Sequence, residues 1–225
     1  MSTSDSVIEQ AKDIAKQEGY IWSGKLEQLL RFGTDHSEYL PTRKKVADLH
    51  DGSYLTQYIK AYYNDLNRIL TFKDASTKPD PAVAEVLEAF AHEHNLSMSP
   101  GEVVSAHRYS MAAENLIGLF LERYLASHLE QVGWVWCCGS TLHAIDFLRL
   151  GRDGAYELLQ VKNRSNSENS SSSAIRKGTI IQKWHRIDSR TGRCHWDKLP
   201  DNAGDALTEE GFYTFIRDYV ASHRE

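Results

Sequence analysis

Two spacings of apolar residues divide this 225-residue chain. Through the first hundred residues the period is helical. Residues 6–18 and 22–32 carry apolar side chains three and four positions apart. The run 54–70 (YLTQYIKAYYNDLNRIL) puts Tyr54, Leu55, Tyr58, Ile59, Tyr62, Leu66 and Ile69 near one stripe. Asp80 and Pro81 predict another helix start, with Asp80 as N-cap and Pro81 in the first turn; its stripe is Val83, Val86, Leu87 and Phe90. The turn-forming stretch 97–101 (SMSPG) marks the expected boundary. After it, residues 111–131 read as a long, strongly apolar helix ended by Gly133. Three short strand-like runs follow, 134–138, 144–150 and 156–162, separated by Gly139-Ser140 and by GRDG at 151–154. Residues 179–187 alternate roughly like a strand. Residues 208–223 return to a helical period, with Phe212, Phe215, Ile216 and Tyr219 on one face. The expected organisation is a helical N-terminal region, 1–100, and an α/β (α+β) core, 101–225.

Composition adds little until charge is resolved along the chain. With 41% hydrophobic and 25% charged residues, the protein reads as soluble and globular. No apolar run is long enough to span a membrane, and the N-terminus lacks the apolar core of a signal peptide, so the expected location is cytoplasmic. Cys137, Cys138 and Cys194 are odd in number and include no C-x-x-C pair. They read as reduced structural cysteines rather than disulfides or a zinc site. The net charge of −5 argues at first against a nucleic-acid partner. Between Gln160 and Lys198, however, nine basic residues meet three acidic ones, so that this segment carries +6 and the remainder −11. A local positive field on an acidic protein suits a polyanion bound at one face; an ordinary solvated basic face fits the charge count equally well.

Candidate chemistry converges on two strands. Asp146 stands in an otherwise apolar run, where a carboxylate is costly unless something pairs with it or binds it. Gln160 and Lys162 are two apart on the next strand and so share a face. If the two strands pair through GRDG, Asp146, Gln160 and Lys162 meet at one edge. A carboxylate, an amide oxygen and the intervening Val161 carbonyl are hard oxygen ligands suited to Mg²⁺. A lysine beside them can orient a water and neutralise phosphate charge.

Asp146 followed by Gln160-Val161-Lys162 resembles the D…(D/E/Q)-x-K signature of the PD-(D/E)XK nuclease superfamily, whose core is a central mixed sheet flanked by helices. Glu114, on the helix before the first strand, matches the acid that many members carry there. The resemblance implies Asp146 and Gln160 as metal ligands, beside the Val161 carbonyl that donor chemistry adds, Lys162 as catalytic lysine and Glu114 as an auxiliary or water-mediated ligand. Gln160 departs from the commoner acid and weakens cation binding. Residues 110–200, with AENLIGLFLERYLA, WVWCCG and LLQVKNRSNSENSSSSAIRKGTIIQKW, are further similar to the SinI family of type II restriction endonucleases. That likeness implies Mg²⁺-dependent cleavage of double-stranded DNA at GGWCC leaving 5′-phosphates. It also implies a homodimer, and a cognate DNA methyltransferase protecting the host genome.

Each residue also has a plainer reading. Asp146 could bond backbone amides, Lys162 could extend its head to water, and Glu114 could only favour the helix dipole. His107, His143 and His185 read as surface or hydrogen-bonded histidines rather than ligands. The serine tract is either a mute linker or a DNA-contacting loop. Because it follows Lys162 and is bracketed by arginines, Asn163, Arg164, Ser165, Asn166, Arg176 and Lys177 are expected to contact DNA, with Lys183 and Arg186 of the following strand on the backbone. The N-terminal helices would dimerise or clamp the duplex. The alternatives are a structure-selective repair or junction nuclease, a non-catalytic DNA-binding module and, leaving Asp146 and Lys162 unexplained, an acidic helical interaction protein.

Overall fold

Four strands form one mixed sheet in the order β1-β2-β3-β4: β1 Val135–Trp136, β2 Phe147–Leu150, β3 Tyr156–Arg164 and β4 Ile181–Ile187. The computed structural model describes residues 3–42, 47–71, 81–95, 100–165, 178–200, 203 and 206–223. β1 and β2 are antiparallel, as are β2 and β3, whereas β3 and β4 run parallel. The β2–β3 hairpin turns at GRDG, where the Gly151 N–H donates to the Ala155 carbonyl at 2.7 Å and Gly154 adopts φ +81°. Two strands are shorter than their apolar runs. Residues 138–140 leave the ladder because this stretch bends back onto a helix. Gly139 there has φ +74°, its N–H donates to Asp65 at 2.9 Å, and an added Cβ would lie 2.3 Å from the Ala61 carbonyl oxygen. Residues 144–146 approach β2 from the same loop, so Asp146 precedes the strand rather than lying inside it.

Among the described residues six α-helices surround the sheet: α1 Thr3–Gln17, α2 Gly24–Asp35, α3 Gly52–Leu66, α4 Pro81–Glu93, α5 Pro100–Leu129 and α6 Glu209–Ser222. Side chains set their starts. Asp51 accepts the N–H groups of Ser53 and Tyr54 before α3, and Thr208 accepts that of Gly211 before α6. The Asp80 cap expected before α4 lies outside the described residues. Of the expected turn at 97–101, residues 97–99 lie outside the described residues, and Pro100 and Gly101 form the first turn of α5, which runs 30 residues where a start near Met111 was expected. Proline suits a first turn because its missing N–H has no intrahelical partner there.

The buried apolar cluster draws on Val7, Leu29 and Tyr62 from the first hundred residues and on Leu125, Phe147 and Phe212 from the rest. Phe32 of α2 meets Tyr156 of β3 edge-on, with centroids 4.8 Å apart. Tyr156 shares its strand face with Leu158, Gln160 and Lys162. Cys137, Cys138 and Cys194 are free. No described helix is long and apolar enough to cross a membrane.

Candidate active site

A cleft of about 590 Å³ opens where α3, α5, the β1–β2 connection and β3 meet. Asp65 and Arg68 line it near the end of α3, Glu122 from α5, Cys137 to Asp146 from the connection, and Gln160 and Lys162 from β3. The sheet places Asp146 tightly. Its carbonyl accepts from the Cys137 N–H and its own N–H donates to the Leu159 carbonyl, both at 2.9 Å. One carboxylate oxygen, Oδ2, accepts the Val161 N–H at 2.6 Å. In a strand the N–H and carbonyl of one residue point to the same edge, so the Val161 carbonyl is turned toward Asp146 as well. The connection reaches this position through Ala144 at φ +60°, a left-handed conformation that a residue with a Cβ rarely adopts.

Three polar side chains here, Gln160, Glu122 and Asp146, are shielded from water with poor compensation. Gln160 is only 1% exposed, and its Oε1 has no hydrogen-bond partner; an orphaned amide oxygen of this kind costs about 1–3 kcal/mol. The Glu122 carboxylate accepts from Trp136 Nε1 at 3.1 Å. Burial, and then the nearby charge of Asp146, pushes Glu122 up to about 8. Burial raises Asp146 too, against the lowering influence of the Val161 N–H and Lys162. Two carboxyl groups and an unsatisfied amide oxygen facing one cleft form a set of hard oxygen donors. That donor set fits Mg²⁺ better than a zinc-type ion. Lys162 brings one positive charge to the same cleft.

The sequence expectations fare unequally. Asp146, Gln160 and Lys162 are brought together. Glu114 is not with them: it is exposed on α5 and does not line the cleft. It lies eight residues before Glu122, about 12 Å along the helix at the usual rise. Glu122 is the α5 acid that lines the cleft, for a legible reason. It sits beside Leu121 and Leu125, both 0% exposed, so it is an acid on the core-facing side of an apolar helix. Asn163 and Arg186 are also placed elsewhere than expected. Arg186 is 6% exposed. Its guanidinium donates to Asn163 Oδ1 at 2.9 Å, pairs with Glu209 of α6 and lies over the Phe212 ring at 5.3 Å. A guanidinium spent on those partners is part of the scaffold and not available to a DNA backbone. Ser165 bonds Ser189 across the ends of β3 and β4. Arg164 is exposed, and Lys183 is half-buried in register with Gln160. Asn166, Arg176 and Lys177 lie outside the described residues.

Carboxyl groups and a lysine thus share one cleft at the end of a mixed sheet in an α+β protein. The family can be named as well. The family model of the SinI restriction endonuclease matches residues 7–222. The chain is 35% identical over 228 residues to the type II restriction enzyme Eco47I of Escherichia coli, and 34% identical over 230 residues to the type II restriction enzyme SinI of Salmonella infantis. Each match covers 98% of both chains. The chain belongs to the SinI restriction endonuclease family, and its class is that of the type II restriction enzymes, site-specific deoxyribonucleases.

Proposed function

We infer that this protein hydrolyses phosphodiester bonds of double-stranded DNA at a short palindromic site, GGWCC by family resemblance, with Mg²⁺ as cofactor, leaving 5′-phosphates and 3′-hydroxyls. The observation that carries the reading is the junction of β2 and β3, where Asp146, the orphaned Gln160 oxygen and Glu122 share one cleft with Lys162. This arrangement supports a PD-(D/E)XK-type centre. Asp146, Gln160 and the Val161 carbonyl would hold the ion, with Glu122 in the role that Glu114 was expected to fill. When bound, Mg²⁺ supplies Lewis-acid stabilisation of phosphate charge and lowers the pKa of a water. Lys162 neutralises a non-bridging phosphate oxygen and orients the attacking water. Glu122, raised by burial, can hold a proton near neutral pH and exchange it with that water.

A palindromic site needs one such cleft per strand, hence a homodimer. The exposed apolar side chains Val83, Val86 and Phe90 on α4 favour that reading and give the N-terminal helices a role in pairing or in gripping the duplex. Exposed Arg164, together with Asn166, Arg176 and Lys177 of the serine tract, are proposed contacts to DNA. A cognate methyltransferase would protect the host genome.

The test is digestion of phage DNA with Mg²⁺ and, separately, with EDTA. Discrete fragments only with Mg²⁺, whose sequenced ends share GGWCC, are the expected result. A smear, or cutting confined to branched substrates, would replace this reading with a non-specific or structure-selective nuclease. Intact DNA in Mg²⁺ and Mn²⁺, with retained binding, would replace it with a binding module.

A further inference from the structure

Beyond the cleft, β4 and the segment that returns from it bring together two imidazoles and a carboxylate. His185 lies in β4, Asp188 just past its end, and His195 on the returning chain, where its N–H donates to the Arg186 carbonyl at 2.8 Å. One potential ligand atom from each lies within 4.8 Å of the other two. The rings of His185 and His195 stand 4.9 Å apart and nearly perpendicular, at 84°. His195 is 8% exposed, yet its Nδ1 has no hydrogen-bond partner. Asp188 accepts three bonds from Arg190 and Thr191, all at Oδ1, which fix the carboxylate without using Oδ2. None of the three residues lines the cleft.

We propose that His185, Asp188 and His195 form a second metal site, for a divalent transition ion of the zinc class. Imidazole nitrogen favours zinc-type ions over Mg²⁺, and two histidines with one carboxylate leave a position for water. Ligand atoms around one zinc ion sit roughly 3.3–3.5 Å apart, from bond lengths of about 2.0–2.1 Å, so the site needs a closure of up to about 1.5 Å. An ordered ligand pair that costs an unpaired buried nitrogen in the empty chain recovers that cost when an ion binds. The ion joins the end of β4 to the chain returning from it. His185 is in register with Lys162 on β3, so the ion would stiffen the strand beside the reactive lysine. The site differs from the cleft in donor chemistry, nitrogen against oxygen, and does not depend on the nuclease reading.

The test uses the full-length, chelator-treated protein in millimolar Mg²⁺, titrated with Zn²⁺ and, for its visible spectrum, with Co²⁺. About one equivalent of Zn²⁺ retained after gel filtration, a rise in Tm and Co²⁺ absorption bands of low-symmetry nitrogen–oxygen coordination are expected. His185→Ala and His195→Ala should each weaken Zn²⁺ binding at least about tenfold, whereas Asp146→Ala should leave it unchanged. Failure of the wild-type chain to retain Zn²⁺ overturns the proposal without any variant having to fold. Retention that survives both histidine substitutions, or that is lost in Asp146→Ala alone, overturns it as well.

Discussion

Two charged groupings include neighbouring residues of β3, Lys162 in one and Asn163 in the other, and they are solved in opposite ways. Around Arg186 every strong group has an opposite: Asn163 accepts from the guanidinium, Glu209 pairs with it, and Glu209 also accepts the Trp196 indole N–H at 2.9 Å. Glu209 is accordingly held below the usual carboxylate range by its hydrogen bonds to Tyr213, Arg186 and Trp196, which outweigh its burial. Around Asp146 the opposite holds. Glu122 and Asp146 repel, Gln160 Oε1 is orphaned, and Ala144 is held at positive φ. The first grouping closes on itself and stabilises the fold. The second does not close on itself; under the proposed function its polar groups act on a cation and a phosphate. Unspent polarity, more than polarity itself, separates site from scaffold.

The sharpest break of this contrast is at Lys162. Lys162→Ala or Asp146→Ala should lower cleavage by at least about a thousandfold, with DNA affinity kept within a few-fold, because both act on the reacting phosphate. Arg186→Met should do the reverse. Removing the cation from half-buried Glu209, which keeps its Trp196 hydrogen bond, should cost about 1–2 kcal/mol in urea unfolding; any loss of activity should follow the unfolded fraction.

Glu122→Gln offers a subtler separation. It removes one of two like charges, so the metal-free protein should gain about 1–2 kcal/mol at pH 8 while cleavage falls. The sign follows from linkage. Glu122 is protonated in the folded chain to about pH 8 but ionises near its usual value when unfolded. Stability of the wild type without metal should therefore fall as pH rises from about 4.5 toward 8. Thermal melts across that range should show the slope in the wild type and a shallower one in Glu122→Gln, where raised Asp146 still contributes. The smallest effect is expected at Glu114→Ala, which should change cleavage less than about twofold; a large loss would return the helix acid to that position.

The legible parts were those that a local pattern determines. The period of two in β3, its polar Gln160 and Lys162, and the GRDG turn led to the hairpin and to Asp146 beside them. What was missed depends on distant partners. Glu122 could not be chosen over Glu114 until α5 was known to start at Pro100 and Trp136 to lie against it. The burial of Arg186 is decided by Glu209, 23 residues further along; on an alternating strand, a basic residue bound to a helix and one bound to DNA look the same. The closeness of His185 and His195, ten residues apart, was not legible because the two meet only when the chain folds back.

The most direct measurement is single-turnover cleavage of a duplex containing one GGWCC site by Lys162→Ala, with binding of the same duplex measured in Ca²⁺. The account predicts wild-type-like binding and almost no product. Cleavage at the wild-type rate would contradict it, and would place the reacting lysine outside the β2–β3 cleft.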